Sequence, residues 1–406
     1  MLFLCISNRR NFKMEIGRNL SDCPTHHQHK KFKTTHQIQT SGDGEIPKLP
    51  EEIIVEILTR LPVKSLLKFR CVSKSWLWVI SSPQFIKTHL RFWAKDATFS
   101  KYRIMLTISD PGFNLKHCSV RSLICEPSTE AFNIDYPRKH PYRAVWVVGS
   151  CNGLICIAIN EKDLFLWNPS TRISTKLPPV EVKMIPGFYN IFGFGYNESS
   201  DDYKVLGIFC AFGNVGVYES VVKLYSLKTN SWKRIEDFKG GEPLDDSGKF
   251  AGGKLHFSTI RGIGLDFRWD IVSLDLETES YGIVEQPNYG EGPSDSSLGV
   301  VGGCICILCN YEKVRVDLWV LKEYGIKESW TKVASIPYLN DPGKFLHSKP
   351  LFMLPNGEIL LVFGMHLVVY NPKDNCLRHP ETSNFGAFLE ADVYIESLIS
   401  PAASEV

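Results

Sequence analysis

Three groups of residues in this chain have types and spacing that could do chemistry. Gly149-Ser150-Cys151-Asn152-Gly153 has the spacing of a nucleophile elbow with cysteine at its centre. Such a turn activates a thiol only where a helix follows it and lends the field of its N-terminus. Leu154 to Ile159 reads instead as a strand, so Cys151 is expected to be a buried, inert thiol. Cys304, Cys306 and Cys309 stand close enough together to suggest a metal site. On a strand, however, residues 304 and 306 share a face that 309 does not, and no second Cys or His pair lies nearby at zinc spacing. His26, His27 and His29 are adjacent imidazoles without flanking structure and are expected to be solvated. Gly193-Phe194-Gly195 and Gly262-Ile263-Gly264 lack the third glycine and the following helix of a dinucleotide fingerprint, and there is no phosphate loop or zinc-protease helix. The expectation is a non-catalytic protein with no metal and no cofactor.

The elements around these residues say what kind of chain holds them. With 406 residues, 44% hydrophobic and 12% aromatic, the chain exceeds what one core usually serves, and two folded units are expected. A net charge of +2 provides no nucleic-acid footprint. No run of about 18 apolar residues is free of charge, so no membrane span is expected. The apolar Met1 to Ile6 is too short for a signal core, and Arg9 and Arg10 follow it instead of preceding it. Twelve scattered cysteines fit free thiols in a reducing compartment, cytoplasm or nucleus.

Residues 1–44 are polar, basic and rich in His, Thr and Gln, and are read as a disordered tail. At residue 45 the pattern becomes helical. Pro50 suits a first helical position, Glu51 and Glu52 favour the positive helix start, and apolar residues fall at 53, 54, 57, 58 and 61. Pro62 ends that helix. Shorter segments follow with Val63, Leu66 and Leu67, then Val72, Trp76, Val79 and Ile80, and Ser82-Pro83 reads as the cap of a further helix through Leu90. This helical unit is bounded at 45–92.

From about residue 98 to 400 the apolar period is two, and the strands repeat. Asn152-Gly153-Leu154-Ile155-Cys156, Gly252-Gly253-Lys254-Leu255, Gly302-Gly303-Cys304-Ile305 and Asn356-Gly357-Glu358-Ile359 each open a turn and an apolar strand. Their spacing of roughly 45 to 55 residues is that of a four-stranded propeller blade, and about 300 residues at that period make roughly six blades. The fold class is therefore α+β multidomain, a small helical unit followed by an all-β propeller. Arg103 to Ile108 and Ala391 to Leu398 are left without a complete unit, and they are expected to pair and close the ring, which removes exposed edges. Trp167, Trp232 and Trp330 recur beside the turns and are read as blade packing.

The run from Ile46 to Trp76, IPKLPEEIIVEILTRLPVKSLLKFRCVSKSW, resembles an F-box almost residue for residue. That resemblance implies a three-helix module that binds the Skp adaptor and, through it, the cullin scaffold of an SCF ubiquitin ligase. The positions it assigns to the adaptor are Leu49, Pro50, Ile53, Ile57, Leu58, Leu61, Pro62, Val63, Leu66, Leu67, Val72 and Trp76. Three short helices cannot bury so many apolar side chains among themselves, so a partner groove would cover the remainder. Ser150-Cys151-Asn152-Gly153-Leu154-Ile155-Cys156, followed by Leu166-Trp167-Asn168-Pro169-Ser170-Thr171 and Phe192-Gly193-Phe194-Gly195-Tyr196, is similar to the kelch-related F-box-associated domain of large plant F-box families. Asn-Gly stands at 152 and 356 where a standard kelch pattern has two glycines.

The implied function is a substrate receptor: the helices hold the adaptor, and the propeller loops hold an unknown protein target. Loops at 184–192, 240–248, 287–297 and 338–346 carry Tyr189, Asp245, Asp246, Tyr289, Asp295 and Asp341. Tyr189, Asp245, Tyr289 and Asp341 are the residues chosen for target binding, as aromatic anchors and acids suited to a basic ligand; a merely solvated rim is the other reading. Two further functions fit the same sequence: a kelch-like propeller for a glycan or small molecule, and an F-box scaffold acting outside a ligase.

Overall fold

The computed structural model describes residues 49–182, 189–212, 218–244, 247–261, 268–290, 295–311, 314–337, 348–364 and 366–402. The chain divides into Met1–Ile54, of which residues 49–54 are described, and Val55–Val406. Four helices come first: α1 Glu51–Thr59, α2 Val63–Phe69, α3 Lys74–Ser81 and α4 Pro83–Ala94. Their ends follow from local chemistry. Ser73 accepts the Trp76 N–H at 3.1 Å and opens α3, and Ser82 accepts the Phe85 N–H ahead of Pro83 at the first position of α4.

Among the described residues six blades follow, each antiparallel from an inner to an outer strand, five of them with four strands and the fourth with five. The second blade is Val145–Cys151, Leu154–Ile159, Asp163–Asn168 and Ile173–Lys176. The third is Tyr189–Asn197, Asp202–Phe212, Tyr218–Ser226 and Ser231–Arg234. In the fourth, Lys254–Arg261, Arg268–Asp275 and Tyr281–Val284 are joined on their inner side by the short Glu242–Pro243 and Lys249–Ala251. The fifth is Asp295–Val301, Cys304–Tyr311, Arg315–Leu321 and Trp330–Pro337, and the sixth Ser348–Met353, Ile359–Phe363, His366–Asn371 and Cys376–Arg378.

The first blade is assembled from both ends of the ring. Phe388–Ile395 supplies its inner strand and pairs antiparallel with Tyr102–Ile108, Ile104 opposite Val393 and Leu106 opposite Ala391. Asn114–Ser119 and Phe132–Asn133 complete it. The expected pairing of the two ends is therefore present. A second latch was not expected: Ser128–Glu130 runs parallel to Glu381–Ser383. Nor was helix α5, Val120–Cys125, in a region read as all strand. Ser119 caps it, and Val120 and Leu123 bury in the core between the first and sixth blades.

Among the described residues the apolar side chains form one core at each junction of neighbouring blades, which is what a closed ring requires. Trp167 is buried in one of them. Trp232 donates its indole N–H to the Pro178 carbonyl and Trp330 to that of Glu285, so each ties its blade to the segment leaving the blade before it. The inner strands approach closely where side chains would obstruct them: a Cβ on Gly195 would lie 2.4 Å from the Phe250 ring.

Buried histidines set an acid limit on the ring. His256 is fully buried, with one ring nitrogen 3.1 Å from the Lys249 carbonyl and the other 3.1 Å from the Tyr324 hydroxyl. Only the neutral ring can donate to the first and accept from the second. Burial, with Lys254 nearby, pushes its pKa down to about 4. A lowered pKa means that the unfolded chain binds the proton more readily. Stability is therefore complete above about pH 6.5 and falls as the pH drops from there toward 4, by roughly 3 kcal/mol at pH 4 from this residue alone. His89 and His117, also pushed down by burial, act in the same direction. Denaturant titrations between pH 7 and 4.5 should show that loss, and His256→Gln should flatten the acid limb; an unchanged limb would exclude His256 as its source.

Candidate functional site

Two surfaces can bind partners: the helical module, and the loops at one rim of the ring. Within the module, Leu58, Val63, Leu66, Val79, Ile80 and Phe85 are buried. His89 of α4 is buried too, and its Nε2 lies 2.9 Å from the Leu61 carbonyl, which fixes α4 against the turn that follows α1. Phe69 meets Trp76 edge-on at 5.4 Å.

The residues assigned to the adaptor thus separate into three groups. Leu49, Pro50, Ile53, Ile57 and Val72 are exposed. Ile53 and Ile57 are one turn apart on α1 and open to solvent. Leu61, Pro62, Leu67 and Trp76 are half-buried. Leu58, Val63 and Leu66 correct the assignment: they are the interior of the module, because their side chains fill the space between the helices and cannot reach a partner. Leu77 and Trp78 are exposed apolar residues of the same module that the assignment does not include. Both lie on α3 opposite buried Val79 and Ile80, and Trp78 is 71% exposed. Their signal was helical phase, since residues 77 and 78 fall outside the arc that 76, 79 and 80 define.

Helix α4 is anchored to the ring at the turn joining the first two strands of the third blade. Lys87 pairs with Asp201 at 2.7 Å and Arg91 lies 4.0 Å from Glu198, both at the surface. Such pairs orient more than they stabilise. The segment after α4 is tightly held: the Asp96 carboxylate accepts from Thr98 and Ser100, the Tyr102 hydroxyl donates to the Ala94 carbonyl, and Lys101 sits 4.5 Å above the Trp93 ring.

The opposite rim carries the connections from one blade's outer strand to the next blade's inner strand, together with the turns between second and third strands. Of the residues chosen for target binding, Tyr189 is half-buried, its hydroxyl donating to the Pro243 carbonyl and the Glu242 carboxylate. Tyr289 is half-buried as well; it donates to Gln286 and packs edge-on against Trp319 at 6.2 Å. Both are engaged in packing between chain segments. Asp245, Asp246 and Asp341 lie outside the described residues, as do His26, His27, His29 and residues 262–264.

The thiols are placed for packing. Burial pushes Cys151 up to about 12, which removes the thiolate a nucleophile needs. Cys304 and Cys306 pack in one core and Cys309 in another. Among the described residues, no group of three or more His, Cys, Asp or Glu could hold a metal ion, and no helix is long and apolar enough to cross a membrane.

Residues 46–88 match the family described as F-box domain, and residues 103–397 match the F-box associated beta propeller domain. An F-box/kelch-repeat protein of Arabidopsis thaliana is 31% identical over 87% of this chain and 96% of its own length. F-box protein CPR1 of the same plant is 33% identical over 75% of this chain and 76% of its own. Among solved structures, an oligogalacturonate lyase in complex with manganese superposes with a TM-score of 0.40 at 11% identity, covering 71% of this chain and 75% of that one. With its helical module, its closed six-bladed ring and a family match over most of its length, this chain belongs to the F-box proteins that carry an F-box associated beta propeller domain.

Proposed function

We propose that this protein is the target-binding subunit of an SCF-type ubiquitin ligase, with the helical module seated on the Skp adaptor and the loop rim of the propeller holding a protein for ubiquitination. The ligase chemistry then belongs to other subunits, and the complex acts in the cytoplasm, the nucleus or both. The observation that carries the reading is the set of exposed apolar side chains at Leu49, Ile53, Ile57 and Val72 on a module that already has its own buried interior. Apolar residues left outside a filled core are what a partner groove covers. The held segment between α4 and the first blade supports the same reading. A receptor that presents its target at a fixed distance from a transfer enzyme needs a junction that does not bend, and Asp96, Tyr102 and Lys101 provide one.

Co-expression of the full chain with a plant Skp adaptor tests the proposal. One adaptor per chain should co-elute in gel filtration, and the reconstituted ligase should transfer ubiquitin to proteins captured with it. Separate elution would contradict the adaptor role, and capture without transfer would favour a scaffold outside the ligase.

A further inference from the structure

Two turns of the ring are Asn-Gly pairs, Asn152-Gly153 in the second blade and Asn356-Gly357 in the sixth, each between the first and second strands. In such a pair the glycine nitrogen can attack the asparagine side-chain amide, because glycine has no Cβ to stand in the way. The structure treats the two pairs differently. Gly153 is buried against the segment that follows the closing strand: a Cβ on it would lie 2.3 Å from Ser397 Oγ and 2.6 Å from the Ile395 carbonyl oxygen. The Asn152 side chain is in turn hydrogen-bonded to the buried Tyr203 hydroxyl. Packing therefore holds both partners of that pair. Asn356 is exposed, and a Cβ on Gly357, at φ +90°, would meet nothing within 4 Å.

The Asn356 amide is also polarised where it stands. Its Oδ1 accepts the Glu358 N–H at 3.0 Å, and its Nδ2 donates to the Glu358 carboxylate at 3.1 Å. The first of these bonds draws charge toward Oδ1 and strengthens as an oxyanion forms there. One bond opposes attack. The Gly357 N–H donates to the Leu354 carbonyl at 2.9 Å, and that bond must open before the nitrogen can lose its proton. At an exposed turn such opening costs little, whereas at Gly153 it requires displacing packed chain.

We infer that Asn356 is a site of self-modification, at which the chain converts its own side-chain amide to a carboxylate, and that Asn152 is protected from the same reaction. The Gly357 nitrogen gives its proton to solvent and bonds to Asn356 Cγ; the Cγ–Nδ2 bond breaks, and Nδ2 takes a proton from water and leaves as ammonia. Water then opens the cyclic imide at one of its two carbonyls, giving aspartate or, with the main chain rerouted through Cβ, isoaspartate. No oxidant or reductant takes part. Either product disturbs the seam of the ring. Leu354, in the same turn, is buried in the core shared by the first and sixth blades, and its N–H donates to the Glu358 carbonyl at 2.8 Å. Isoaspartate lengthens this turn by one main-chain atom. Aspartate replaces the amide donor at Glu358 with a second carboxylate, in a place where the Arg378 guanidinium lies 3.9 Å from Glu358.

The test is peptide mass spectrometry of the full folded chain, sampled over days in neutral and in mildly alkaline buffer. The peptide spanning residue 356 should gain one mass unit, the difference between amide and acid, and separate into two products of equal mass. The gain should be faster in the alkaline buffer, since the attacking nitrogen must lose its proton. In the folded chain it should run at least about tenfold ahead of any gain in the peptide spanning residue 152, and denaturant should remove that difference by exposing both pairs alike. Asn356→Gln changes an exposed side chain and extends it by one carbon, so cyclisation there is disfavoured; its peptide should keep its mass. Aged wild-type protein should melt below fresh protein, while aged Asn356→Gln should not. An unchanged mass at 356, equal gains at 152 and 356 in the folded chain, or the same fall in melting temperature for aged Asn356→Gln would overturn the inference.

Discussion

Replacing Ile53 and Ile57 together with aspartate is expected to lower adaptor affinity about a thousandfold while leaving the ring folded. Both side chains are exposed, so the new carboxylates remain solvated in the free protein and become costly only when a partner groove closes over them. Loss of one buried apolar anchor is worth about 2 kcal/mol, and two such losses reach about 4 kcal/mol, or three decades in affinity. Leu58→Ala provides the contrast. Leu58 is 1% exposed and belongs to the module interior, so truncation should cost about 2 to 4 kcal/mol of module stability. Binding would then weaken only to the extent that the module unfolds. Titration calorimetry with the purified adaptor, alongside thermal melts, separates the two behaviours. An unchanged affinity for Ile53→Asp/Ile57→Asp would show that the adaptor, if bound, sits elsewhere.

The second large effect concerns ring closure. Asn168 is fully buried, and its amide nitrogen donates to the Ser397 carbonyl at 3.0 Å and the Ile399 carbonyl at 2.7 Å. Its oxygen accepts the Ser170 N–H at 2.8 Å, so one side chain holds both its own turn and the segment that follows the closing strand. Asn168→Ala leaves those buried groups unpaired and opens a cavity, a loss of about 3 kcal/mol and, for a ring of about 300 residues, a drop of about 5 °C in melting temperature. Gly153→Ala should act on the same segment by a different route. At φ +84° an alanine is strained, and its Cβ would sit 2.3 Å from Ser397 Oγ and 2.6 Å from the Ile395 carbonyl. Because both changes displace residues 395–399, the double variant should lose less than the sum of the two. Full additivity in calorimetric melts would mean that the two residues do not share that segment.

Much of this architecture was legible because its signals are local. Ser82-Pro83 is a cap and a first helical position, and Asn152-Gly153, Gly252-Gly253 and Gly302-Gly303 join inner to second strands at positive φ, which glycine adopts without strain. The closing pair could be inferred from two incomplete units at opposite ends. What was hidden depends on distance or on phase. The parallel latch joins residues 253 apart (383 − 130), so no local pattern announces it. Helix α5 has six residues, too few for a helical period to separate from a strand.

In α1, Ile53, Ile54, Val55, Ile57 and Leu58 are apolar over more of the helix than one face, and composition cannot tell that Leu58 turns inward while Ile57 does not. The aromatic loop residues are more engaged than composition shows, for a related reason. Tyr189 and Tyr289 looked available, but their hydroxyls find partners in Pro243 and Gln286.

The measurement that tests the receptor role most directly is a comparison of the proteins held by tagged wild-type chain and by Ile53→Asp/Ile57→Asp in plant extract. The account predicts that the Skp adaptor and cullin disappear from the variant while a set of other proteins stays bound to both forms through the loop rim. Adaptor and cullin recovered equally by both forms, or absent from both, would contradict it.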